Sequence, residues 1–186
     1  MKNILVLSQK GGTGKTTLAD NIAFTFEAEN SSVAFYNTDP QGGALHKTKE
    51  DDEADITVID TAGVLAKNTK DMITEADLIV IPTQASALDM EPLNRIRGLV
   101  AKEAPATPVL IVINGWNRWT NAREFHDWLK ESLRSTERIA TLSQSEVVRR
   151  AAAYGESIQS FAPKSKSAAE VNAITNVLKE LLQMEN

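Results

Sequence analysis

Short apolar runs recur along the chain, each closed by a polar or glycine-rich break. Ile4-Leu5-Val6-Leu7, Val33-Ala34-Phe35-Tyr36, Ile56-Thr57-Val58-Ile59, Leu78-Ile79-Val80-Ile81, Val109 to Ile113 and Ile139 to Leu142 are rich in β-branched residues and bounded by turn formers. That length and composition predict buried strands. Between them the apolar spacing changes to that of helices. Leu18, Ile22, Ala23 and Phe26 line one face of a helix over about Lys15 to Ala28. Further helices are predicted over about Leu88 to Glu103, with Pro92 near the first turn, and over about Asn121 to Leu133, where Phe125, Trp128, Leu129 and Leu133 share a face. Two more close the chain, over about Ser145–Tyr154 and Ala168–Met184.

Strands that alternate with helices, and are apolar throughout, belong to a parallel sheet covered on both sides. The predicted fold class is α/β: a three-layer, mostly parallel twisted sheet with helices on both faces. The 186 residues form one domain over 1–186, without internal repeats or low-complexity linkers. The acidic run Glu50-Asp51-Asp52-Glu53 reads as a solvated loop.

Composition narrows the function classes. There are no cysteines, which excludes disulfides and cysteine-held clusters, and only two histidines, which argues against zinc. Hydrophobic residues at 42% and charged residues at 24% are ordinary for a globular protein, and no apolar run reaches membrane-spanning length. The chain passes from Met1-Lys2 straight into a strand, so neither a signal peptide nor an N-terminal helix-turn-helix domain is expected, and a cytoplasmic location is. A net charge of −5 means that any nucleic-acid contact must come from a local basic patch.

The first strand runs into Gly11-Gly12-Thr13-Gly14-Lys15-Thr16-Thr17. Glycines let backbone N–H groups converge on one point, and the following helix contributes the positive end of its dipole. Lys15 can reach the β- and γ-phosphates of a nucleoside triphosphate, and the Thr16 hydroxyl can ligate Mg²⁺. The usual pattern has a glycine where this chain has Gln9, and the next residue is a lysine, Lys10. This K-G-G-T-G-K-T-T loop resembles the deviant phosphate-binding loop of the ParA/MinD group of ATPases. The resemblance implies that Lys10 crosses a dimer interface to the partner's nucleotide.

Other motifs fall at predicted strand ends. Asp60 closes the third strand, where a carboxylate can hold the Mg²⁺ hydration shell, and Gly63 nearby could sense the γ-phosphate through its N–H. Asn37-Thr38-Asp39-Pro40-Gln41 resembles the family's D-x-D-P-Q element, which implies that Asp39 positions the attacking water. The family's first acidic residue is Asn37 here, and its missing charge is expected to weaken magnesium ligation or hydrolysis. Asn114 ends the fifth strand, where relatives read adenine, and an amide offers the donor and acceptor that adenine needs. In Gly115-Trp116-Asn117-Arg118-Trp119 either ring could stack on a base or anchor in the core, and Arg118 could touch a partner. Ser86 and Asp89 are expected to cap the helix that follows them, without chemistry of their own.

The resemblance is closest to the small ParA-type partition ATPases. It implies ATP and Mg²⁺ as cofactors, a homodimer on ATP binding, slow hydrolysis, and non-specific DNA binding in the ATP form with nucleoid association. It also implies a centromere-bound adaptor of the ParB type. Catalytic work would fall to Lys10, Lys15 and Asp39, and metal binding to Thr16 and Asp60. The nucleotide would rest on Gly11 to Thr17 and Asn114. Arg149, Arg150, Lys164 and Lys166 are the candidate phosphate contacts of DNA. Three other readings stay open: a MinD-like switch at a membrane or protein surface, an ATP-dependent enzyme that activates a carboxylate, and a nucleotide-binding module with impaired hydrolysis. The last helix bears on the first of these, because its face of Glu170, Asn172, Thr175, Asn176, Lys179, Glu180 and Gln183 lacks the basic excess of a membrane-binding helix.

Overall fold

A computed structural model describes residues 1–39, 42–48, 51, 53–62 and 68–184. Among them six strands form one sheet: β1 (Lys2–Val6), β2 (Val33–Asn37), β3 (Ile56–Asp60), β4 (Leu78–Thr83), β5 (Val109–Trp116) and β6 (Glu137–Ser143). Their order is β2-β3-β1-β4-β5-β6, and every neighbouring pair is parallel. The helices are α1 (Lys15–Ala28), α2 (Thr69–Glu75), α3 (Ala87–Glu103), α4 (Thr120–Glu131), α5 (Glu146–Tyr154), α6 (Ile158–Phe161) and α7 (Lys166–Leu182).

The alternation of side chains along each strand divides the core in two. Ile4, Val6, Val58, Val80, Leu110 and Val112 face one way and pack with Leu18, Ile22 and Phe26 of α1 and Val171, Ile174 and Leu178 of α7. Leu5, Leu7, Ile79, Ile81, Ile111 and Ile113 face the other way, onto Leu93 and Ile96 of α3 and Phe125 and Leu129 of α4. Each such fully buried side chain contributes about 1.5–3 kcal/mol. The three-layer expectation therefore holds.

Chain order explains where a site must lie. β1 pairs with β3 from Lys2↔Ile56 to Val6↔Asp60 on one side and with β4 on the other. The sequence turns one way from β1 to reach β2 and the other way from β3 to reach β4. Open parallel sheets bind ligands beyond the carboxyl ends of the strands at such a switch point.

Several local expectations change. α2 and α6 were not anticipated, being only seven and four residues long. α3 starts at Ala87, so Pro92 sits inside the helix rather than in its first turn. The proline leaves the Leu88 carbonyl without a helical donor, at a residue 80% exposed and therefore open to water. β5 continues through Asn114 to Trp116 with a register irregularity at Gly115, whose φ is 71°. Thr175, placed on the polar side of the last helix, is fully buried; its hydroxyl donates to the Val171 carbonyl at 3.1 Å. No described helix is long and apolar enough to cross a membrane.

Candidate phosphate-binding site

β1 ends at the switch point, and the loop after it enters α1 through Gly14, which adopts a left-handed φ of +84°. A Cβ there would stand 2.0 Å from Asn114 Nδ2, so a side chain at position 14 would strain the backbone and displace the Asn114 amide. Two side chains from further along the chain and one hydroxyl of its own hold the loop. Asn114 Nδ2 donates to the Thr13 carbonyl at 2.8 Å, Gln84 Nε2 donates to the Gly12 carbonyl at 3.1 Å, and Ser8 Oγ accepts from the Lys10 N–H at 3.3 Å. Thr13 Oγ1 adds a bond to Ser8 Oγ at 3.1 Å. The loop is thus shaped by Gln84 just after β4, Asn114 of β5 and its own hydroxyls.

The space it encloses is about 220 Å³ and is lined by Lys10 through Thr17 together with Asp39. Lys15 Nζ donates to Asp60 Oδ1 at 3.0 Å, a pair in which Lys15 is 7% exposed and Asp60 not at all. The second carboxylate oxygen, Asp60 Oδ2, is buried and has no hydrogen-bond partner. Burial pushes the Asp60 carboxyl above its ordinary range, the neighbouring Thr16 hydroxyl and Lys15 ammonium pull it back, and the charge of Asp20 adds a further upward push.

An orphaned carboxylate oxygen beside a threonine hydroxyl fits a hard divalent cation. Mg²⁺ is commonly bound through one or two carboxylates with water and substrate phosphates rather than by a protein cage. Thr16 and Asp60 are the residues that would hold it.

Lys10 stands at the rim. Its Nζ donates to both oxygens of Asp89 at 2.9 Å, and Asp89, at the start of α3, is 2% exposed. Ser86 Oγ also donates to Asp89. The expected capping by Ser86 and Asp89 is therefore corrected: Ser86 makes no side-chain cap bond, because the two side chains bind each other and Lys10 instead. Asp89 lies 79 residues from Lys10, and no local pattern marks it.

Asn37 has a structural part in the same stretch. Its Oδ1 accepts the Asp39 backbone N–H at 2.8 Å, an Asx turn that fixes the backbone of the next acidic residue. Thr38 ties the same stretch to β3, with its N–H and hydroxyl donating to the Asp60 carbonyl at 2.9 and 3.2 Å. Pro40, Gln41 and Gly63 lie outside the described residues.

A second cleft of about 480 Å³ shares Gly12 with the cradle and runs past Asn114, Asn117, Ser143, Gln144, Ser145 and Arg149. Of the tryptophans at 116 and 119, Trp116 is the core anchor, packed with the α3–α4 side of the core and 5.6 Å from the His126 ring, whereas Trp119 is 74% exposed. The four basic candidates have different surroundings. Arg149 lines the cleft, Arg150 lies over the Phe161 ring at 5.4 Å, and Lys166 Nζ is 2.7 Å from Ser143 Oγ and 3.2 Å from Glu170. Lys164 is exposed.

A strand, a glycine loop and a helix around an anion cradle, with a strand-end carboxylate beneath, define a P-loop nucleotide-binding domain of the α/β class. The sequence matches the CobQ/CobB/MinD/ParA nucleotide binding domain over residues 4–158, and the chain belongs to that family. Protein IncC of Escherichia coli is 40% identical over 50 residues, a stretch that covers 27% of this chain and only 14% of that protein. Among solved structures, a McdA variant–ATP complex from Cyanothece superposes with a TM-score of 0.80 at 16% identity, covering 100% of this chain and 98% of that one. A putative plasmid partition protein from Borrelia burgdorferi, bound to AMPPNP, gives 0.74 at 18% identity, covering 98% of each chain. At such identities these structures speak for the fold.

Proposed function

We propose that this chain is an ATPase of DNA segregation that dimerises on binding ATP, holds non-specific DNA in the ATP form and hydrolyses ATP slowly, with an adaptor protein of the ParB type as stimulus. The observation that carries the reading is the cradle, which gathers Lys10, Lys15, Thr16 and Asp39 around one space, with Lys15 bonded to the buried Asp60. The Borrelia partition protein and IncC support the segregation role as relatives.

The residues divide the work as follows. Backbone N–H groups of Gly11 to Thr17 bind the phosphates, and Lys15 moves from Asp60 to the β- and γ-oxygens. Asp39 orients the water that attacks the γ-phosphorus in line with the bond to ADP, and the leaving oxygen departs as that bond breaks. Mg²⁺, when bound by Thr16 and Asp60, neutralises charge on the phosphate oxygens. Lys10 exchanges Asp89 for the nucleotide of a second copy. Asn114 and the cleft beside it receive the adenine. DNA phosphates are met by Arg149, Arg150, Lys164 and Lys166.

The test is sedimentation of duplex DNA with the purified protein in ATP·Mg²⁺, ADP·Mg²⁺ and no nucleotide, over a range of salt. Binding with ATP alone, falling by about one power of salt concentration per phosphate contact, is the expected result. Dimerisation on ATP with no DNA retained in any state would overturn the segregation role and move the reading to a switch acting on a protein or membrane surface.

A further inference from the structure

The chain that leaves Asp39 is fastened from outside the cradle. Gly42 N–H donates to the Asp39 carbonyl at 3.0 Å, and at the far end of the segment the Asn37 N–H donates to Thr48 Oγ1 at 3.3 Å. Between these points the fastening comes from α1. Asp20, one turn beyond Thr16, is 2% exposed. Its Oδ2 accepts the Leu45 N–H at 2.9 Å, and its Oδ1 accepts the His46 N–H at 3.0 Å and stands 2.8 Å from His46 Nδ1. The other ring nitrogen, Nε2, is 3.3 Å from Glu27 Oε2. The ring itself lies against Phe24 at 4.1 Å and Phe35 at 4.9 Å between centroids. A carboxylate this deep is stable only when its lone pairs are filled, and Leu45 and His46 fill them.

We propose that Asp20 and His46 are positioning residues for hydrolysis: they clamp the segment after Asp39 to the helix that carries Lys15 and Thr16, and so set where Asp39 stands in the cradle. This rests on the ATPase reading above. The clamp works through a doubly protonated ring, since only the imidazolium donates to Asp20 and Glu27 together. Burial pulls the His46 imidazolium down, but the hydrogen bonds and charges of Asp20 and Glu27 outweigh it and the net shift is upward from 6.5. The titratable groups that face the ring among the described residues are those two carboxylates of α1; β2 contributes the Phe35 ring. A raised folded value makes the contribution complete below 6.5, and it is lost as pH rises through that higher value. Neutral His46 drops one carboxylate, the 44–48 stretch loosens, and Asp39 loses its placement.

Three proteins decide it: wild type, His46→Gln, and Glu27→Gln, the last at a carboxylate 44% exposed whose loss the fold tolerates. Phosphate release at saturating and limiting ATP·Mg²⁺ is followed from about pH 6 to about pH 9, beside the NMR titration of His46. In wild type kcat should fall with the midpoint of His46 while KM stays level. His46→Gln should lower kcat about tenfold at the acid end and remove the fall, since a displaced reacting group loses rate steeply. Glu27→Gln should shift the midpoint down, because the ring loses one of the two negative charges that hold its proton. Wild-type profiles in both variants would overturn the clamp while leaving the ATPase reading intact. A wild type that binds ATP yet releases no phosphate at any pH would overturn the ATPase reading itself, and the positioning role with it.

Discussion

Two buried ion pairs sit at opposite ends of the sheet, and they are built to different standards. Where β6 begins, Glu137 accepts from Arg97 Nε at 2.9 Å and Nη2 at 2.6 Å and from the Arg134 N–H at 2.8 Å. Arg97 spends its remaining donors on Asn94, on Ser132 Oγ and on the Ser132 carbonyl. Burial alone would push the Glu137 carboxyl up, but these partners win and hold it below its ordinary range. Where β3 ends, Asp60 is just as deep but has one lysine on one oxygen and nothing on the other, and its carboxyl is pushed up. A complete network fastens α3 to β6. An incomplete one keeps a site open. The unsatisfied oxygen, rather than the presence of buried charge, separates the pair beneath the cradle from the pair at β6.

Breaking the complete pair should have the largest effect. Glu137→Ala leaves the Arg97 guanidinium buried and unpaired, and urea unfolding should report a loss of about 3–5 kcal/mol. A loss below about 1 kcal/mol would mean that the pair at β6 is as loosely built as that at β3. Asp60→Asn should cost less, about 1 kcal/mol, because half of the carboxylate makes no bond and Lys15 can turn into the cradle. If the proposed site binds ATP·Mg²⁺, wild type should gain Tm with it and the same variant should lose that gain. A rise retained in full would remove Asp60 from the metal site.

The smallest effect is in pH. Glu137, with its lowered folded value, contributes stability above its unfolded value near 4.5 that is lost as pH falls through the folded one. Asp60, with a raised folded value, runs the other way: its contribution is present below 3.8 and lost as pH rises through the folded value. Glu137→Gln should therefore flatten the acid limb of the urea midpoint measured from about pH 3 to about pH 6, and a limb of unchanged steepness would count against the contrast.

What could be read in the sequence follows the range of the forces involved. Strands such as Val109 to Ile113 declare themselves because every residue is apolar, and the loop from Lys10 to Thr17 because its chemistry is local. The short α2 and α6 carry too few turns for a periodic signal. Asp89 and Asp20 are aspartates on helices, a residue type met more often on the surface, and only the fold brings Lys10 and His46 to them. Asp20 did leave a trace, an acid on the buried side of α1 between Leu18 and Ile22. Arg149 and Arg150 look equivalent in sequence, yet neighbours on a helix point about 100° apart, and one reaches the cleft while the other lies on Phe161.

The Asn114 amide that fills the space over Gly14 has a kinetic consequence. A loop already braced by Asn114 and Gln84 is ordered when the chain folds, so an arriving nucleotide need not wait for it and loses little affinity to conformational entropy. Association should then run close to the rate of encounter, and the lifetime of the complex should be decided by how fast the nucleotide leaves.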